Sequence, residues 1–170
     1  MTMKSNSGHC ATTTDSKNSE ALHTRLVKSH FDKLGSDWLL KKSLPIGNVV
    51  KEQKYSFNQK GESQQYNADG GFVYYKNKLV GVCENKHQGT RRNACERMAR
   101  YLFIQGIGPK NMFITCAGPG FVNKKCGDST GPLLDLAINA GAFILENPKP
   151  EEVKQKLQDW TDWIQSEYEQ

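Results

Sequence analysis

No apolar run in this chain of 170 residues approaches the roughly 20 needed to cross a bilayer, and the N-terminus lacks the apolar centre of a secretory signal. A soluble, cytoplasmic protein with no membrane partner is the expectation. Cysteine is scarce and irregular. The five thiols, at positions 10, 83, 95, 116 and 126, are odd in number and include no Cys-x-x-Cys. That spacing argues against a disulfide framework and against a zinc site, and the thiols are read as reduced and structural. Residues 1–15 hold almost no apolar side chains and read as a disordered tail, leaving 16–170 as a single domain. Ala117-Gly118-Pro119-Gly120 is glycine-rich, but no Gly-Lys-Ser/Thr follows it, so a turn is expected there and not a phosphate loop. The net charge of +5 suits a polyanionic partner without identifying one.

The periodicities give an alternating plan. Leu22, Leu26, Val27, Phe31 and Leu34 recur at helical spacing, which predicts a helix over 16–34 closed by Gly35, with His23 and His30 at its surface or rim. Trp38 to Lys42 reads as a short helical turn ending before Pro45. Val49 to Phe57 reads as the first strand, followed by a polar loop over 58–67. Phe72 to Tyr75 and Leu79 to Cys83 flank Lys76-Asn77-Lys78 as a hairpin is written. A helix over 91–104 follows, with Cys95, Met98, Ala99 and Leu102 as its core stripe. Then come a strand at 111–116, a polar loop at 121–131, a helix at 132–139, a strand at 142–145 and a C-terminal helix from Pro150. Val153, Leu157, Trp160, Ile164 and Tyr168 form the stripe of that last helix. Together these elements predict an α/β fold, a mixed five-stranded sheet flanked by helices.

Chemistry gathers at the hairpin. With Asn77 at its tip, antiparallel pairing sets Asp69 opposite residues 84–86. Residues two apart on a strand share a face, so Glu84 and Lys86 point one way while Cys83 and Asn85 point the other. Asp69, Glu84 and Lys86 then form one cluster at the end of an apolar strand. Two carboxylates with room for water make an oxygen site for a hard divalent cation, most naturally Mg2+. An ammonium beside them can act on an attacking water and stabilise charge developing on phosphorus. The bland alternative is a turn at Asp69-Gly70-Gly71 beside an exposed Glu84/Lys86 pair.

Asp69 followed by Glu84-x-Lys86 resembles the PD-(D/E)xK nuclease signature. Asp69-Gly70-Gly71 with Glu84-Asn85-Lys86-His87-Gln88-Gly89, and then Asn93-Ala94-Cys95-Glu96-Arg97, are similar in order and spacing to the EcoRI/MunI-like type II restriction endonucleases. Ala68 stands where that family has proline, and Arg92 where the relatives have glycine. The resemblance implies a restriction-endonuclease-like core with Asp69 and Glu84 as Mg2+ ligands and Lys86 as the catalytic lysine. It also implies that Asn93, Ala94, Glu96 and Arg97 read the adenines of a central AATT. His87, Lys124 and Lys125 would contact DNA phosphates, and Arg91 and Arg92 an outer base pair.

The expected protein is therefore a Mg2+-dependent restriction endonuclease acting on double-stranded DNA as a homodimer, with a cognate DNA methyltransferase in the same host. Two alternatives stand beside it. One is a structure-specific or repair nuclease using the same cluster; the other is a dimeric DNA-binding protein without chemistry.

Overall fold

The computed structural model describes residues 13–45, 65–87, 111–117, 138–139 and 141–170. Helix α1 spans Thr13–Phe31, beginning three residues before the apolar spacing places it. It unwinds through backbone bonds from Lys33 and Leu34 to the carbonyls of His30 and Phe31, and Gly35 takes the left-handed conformation (φ 93°) that turns the chain.

The next element corrects the sequence reading. Trp38 to Lys42 is not a helical turn but the start of strand β1, Trp38–Pro45, which pairs antiparallel with β2, Gln65–Tyr75. So short a segment has little helical preference of its own, and pairing outweighs it. The Trp38 ring also lies between Phe31 and Tyr75, at centroid distances of 5.8 and 4.6 Å. The strand expected at Val49 to Phe57 lies outside the described residues, as does the helix expected at 91–104. Of the expected 132–139 helix only Ile138 and Asn139 are described, and both are helical.

β2 continues into β3, Lys78–His87, through a two-residue turn. Lys76 (φ 47°) and Asn77 (φ 65°) are both left-handed, as a tight hairpin between right-twisted strands requires, so Lys78 already belongs to β3. β4, Asn111–Ala117, and β5, Ala142–Glu146, follow, and the chain ends in α2, Pro150–Tyr168. The sheet order is β1-β2-β3-β4-β5. The first two pairings are antiparallel and the last two parallel, so the sheet is mixed.

One face of the sheet packs against both helices. Val73, Cys83, Phe113 and Leu145 meet Leu26, Val27 and Phe31 of α1 and Val153, Leu157, Trp160 and Ile164 of α2. Trp160 is the largest fully buried side chain, its ring 5.5 Å from that of Phe113. On the other face Phe72, Val82, Met112, Ile114 and Cys116 are equally inaccessible, so β3 and β4 are buried on both sides, as their near-continuous apolar runs imply. Tyr168, at the last residue of α2, is exposed and does not extend the apolar stripe. Thr161 does, turning its hydroxyl onto the Leu157 carbonyl at 2.9 Å. Cys83 and Cys116 are free, buried thiols, and burial pushes both up and away from the reactive thiolate. Among the described residues no helix is long and apolar enough to cross a membrane.

Candidate functional site

The site begins with a break in β2. Its ladder with β1 runs regularly to Lys41↔Phe72 and resumes at Ser43↔Asn67, so residues 68–71 of β2 stand opposite Lys42 alone. On its other edge the ladder with β3 ends at Gly71↔Cys83. Residues 68–70 thus lie outside both ladders, a bulge that re-aims side chains. Gly71, at φ 118°, supplies a backbone conformation that other residues rarely adopt. Gly70 faces α1 so closely that a Cβ there would fall 2.6 Å from Cys83 Cβ and 2.7 Å from His23 Nε2. With Gly70 turned to α1, Asp69 faces the opposite way, toward Glu84 and Lys86.

The three ionisable groups are brought together. Lys86 Nζ lies 2.7 Å from Asp69 Oδ2, with both side chains largely shielded. The Asp69 amide donates to Glu84 Oε2 at 3.3 Å, and the Asn85 amide donates to Asp69 Oδ2 at 3.4 Å. Glu84 is only 1 % exposed. A carboxylate so far removed from water is costly unless something charged or hydrogen-bonding offsets it, so an exposed strand pair does not describe this arrangement. His87 ends β3, half-buried. Asp69 also lines a cleft of about 450 Å³ between α1 and β1, bordered by Thr24, Lys28, Lys42 and Gly70.

Behind this cluster lies a polar network that the sequence reading did not anticipate. His23 is not at the surface or rim. It is buried, its Nδ1 2.9 Å from Thr115 Oγ1. Thr115 Oγ1 also accepts Asn85 Nδ2 at 2.7 Å, and Ser19 Oγ meets the same amide at 3.2 Å. Burial pushes the His23 imidazole down to about 4, against the partial support of the Asp69 carboxylate, so the ring is neutral near pH 7. Thr115 Oγ1 thus joins the Asn85 side chain to the His23 ring, the direction of its bond with Nδ1 following the ring tautomer. Nε2 is buried against Gly70 without a hydrogen-bond partner. Helical spacing held the signal: His23, Leu26, Val27 and His30 share one face of α1, and two of them are core. Thr115 is less legible, a hydroxyl inside an apolar strand. Ser19, His23, Asn85 and Thr115 also line a cavity of about 210 Å³ where β3 and β4 end beneath α1.

The donor set can be tested against the cation that the sequence resemblance implies. Asp69 and Glu84 are oxygen donors, and among the described residues no imidazole or thiolate joins them, which suits a hard cation. Among the described residues no group of three or more acidic, histidine or cysteine side chains gathers. Mg2+ tolerates this, because it usually keeps several waters and takes one or two carboxylates together with substrate phosphate oxygens. The residues present fit. Arg91, Arg92, Asn93, Ala94, Glu96, Arg97, Lys124 and Lys125 lie outside the described residues. No protein-family model, no curated protein and no solved structure matches this chain.

Proposed function

We propose that this chain is a Mg2+-dependent deoxyribonuclease of the type II restriction kind, cutting both strands of DNA at a short palindrome containing AATT. The observation that carries the reading is the convergence of Asp69, Glu84 and Lys86 where β3 runs past its last β2 partner, with Lys86 Nζ 2.7 Å from Asp69 Oδ2.

In this reading Asp69 and Glu84 would hold Mg2+. When bound, the cation neutralises charge on the phosphoryl oxygens and makes water a better nucleophile. Lys86 orients the attacking water and stabilises the negative charge that grows on the phosphoryl group. The water oxygen attacks phosphorus in line and gives up a proton to solvent, the bond to the 3' oxygen breaks, and that oxygen takes a proton from solvent. The products are a 5'-phosphate and a 3'-hydroxyl. The sequence specificity rests on Asn93, Ala94, Glu96 and Arg97, in which asparagine suits adenine N6 and N7. A palindrome read this way calls for a two-fold dimer.

Digestion of plasmid DNA of known sequence with Mg2+, with the ends mapped, tests the proposal, and Lys86→Ala serves as the control. Discrete fragments ending within AATT sites, absent with the variant, support it. Cutting at unrelated positions removes the recognition element and leaves a nuclease; intact plasmid removes the nuclease reading altogether.

A further inference from the structure

We infer that α1 is the element that positions the acidic cluster, with Thr24 and His23 as positioning residues that set where the Asp69 carboxylate sits. The inference rests on the reading of Asp69 as a ligand of a divalent cation, and its geometry stands independently of that reading.

Asp69 belongs to a segment that both ladders have released, so its position depends on side chains. Its amide is held by Glu84 Oε2 at 3.3 Å and its carbonyl by Thr24 Oγ1 at 3.0 Å. The carbonyl bond comes from α1. His23, one residue earlier on the same helix, closes the other side: its ring abuts Gly70, the residue after Asp69, at a separation that only glycine permits. From its Nδ1 a chain of contacts then runs through Thr115 Oγ1 to the Asn85 side chain, and it is the backbone N–H of the same Asn85 that donates to Asp69 Oδ2. Asp69 is thus approached from α1 by two routes, one through its own carbonyl and one around its carboxylate.

The arrangement carries a stability cost. A buried ring nitrogen without a hydrogen-bond partner is costly, and a leucine of similar volume would avoid it. Packing alone does not call for histidine here. A polar ring that holds Thr115 and Asn85 in register behind Asp69 does. Groups that orient metal-binding carboxylates from behind affect cation affinity about 10-fold to 100-fold when removed.

The test compares wild type with Thr24→Val, His23→Leu and His23→Asn. Thr24 is exposed, so Thr24→Val removes one hydrogen bond with little effect on packing. Amide hydrogen exchange in the cation-free protein reads the positioning directly. Asp69 and Asn85 are expected to exchange roughly fivefold to tenfold faster in Thr24→Val and His23→Leu, with Phe113 and Leu157 unchanged. His23→Asn, which keeps an acceptor near Nδ1, restores part of the protection. Mn2+ titration of the same proteins should show affinity falling about tenfold in the first two variants. Unchanged exchange at Asp69 and Asn85 overturns the inference whatever the titration gives. A wild type that binds no Mn2+ overturns the cation reading, while the exchange result still decides the role of α1. If His23→Leu does not fold, Thr24→Val alone decides.

Discussion

Acid should destabilise this protein through His23 well before its carboxylates are protonated. The ring is neutral in the folded chain down to about 4, whereas an imidazole in the unfolded chain takes up a proton near 6.5. Between those values the unfolded state binds the extra proton, so folding stability rises with pH across the window and is lost as pH falls through it. Above 6.5 neither state is protonated, and below about 4 both are, so the contribution is flat outside the window. Each unit of displacement is worth about 1.4 kcal/mol, which makes the whole window worth about 3 kcal/mol. Two nearby charged groups act on the ring in opposite senses: Asp69 favours the protonated form and Lys86 disfavours it, with burial outweighing both. Urea denaturation of wild type and His23→Leu between pH 7 and pH 4 isolates the effect, since the carboxylates common to both proteins cancel in the difference. Wild type should lose about 3 kcal/mol relative to the variant over this range. Parallel curves, or an imidazole proton resonance that titrates near 6.5, would refute a buried neutral ring.

Three further outcomes follow from the geometry. Gly70→Ala should destabilise the protein by about 1–2 kcal/mol, because the strain of the two close contacts exceeds the modest gain from a stiffer unfolded chain; a neutral or stabilising result in chemical denaturation would mean that His23 does not abut position 70. Trp160→Ala empties the centre of the packing between α2 and the sheet and should cost about 3–5 kcal/mol, read as a lowered denaturation midpoint. Glu169 accepts from the Tyr75 hydroxyl and from Lys76, which holds its carboxyl below the usual range. The stability it contributes is present above the ordinary carboxyl value and is lost as pH falls through the lowered one. Glu169→Gln should therefore flatten the acid side of a thermal-melting profile, and an unchanged profile would show the contact to be inert.

The parts of the fold that the sequence made legible are those in which one strong local signal acts alone. The hairpin was readable because aromatic and β-branched runs flank a turn with asparagine at its tip, and β4 because a short, mainly apolar run bounded by turn residues reads as a buried strand. The nearness of Asp69 to residues 84–86 followed from the hairpin's register, and the shared face of Glu84 and Lys86 from the two-residue repeat of a strand. What misled were positions at which local preference is weak or a polar residue serves the interior. Trp38 to Lys42 carries no decisive helical or strand signal until β2 is beside it. His23 looks like a surface residue only if polarity is weighed above its place among Leu26 and Val27.

The order of hydrophobic residues along the chain determined by itself that there would be a mixed sheet with helices packed on it, because burial of apolar surface is the dominant favourable term and its periodicity is written locally. The same order set Glu84 and Lys86 on one face of β3. Only the tertiary structure decided that Asp69 would meet them, since that depends on a bulge in β2 that neither neighbouring strand pairs. It depends too on α1 pressing His23 and Thr24 against that bulge from residues more than forty positions away. Contacts across such distances are fixed by how packed elements fit, and no local pattern encodes them.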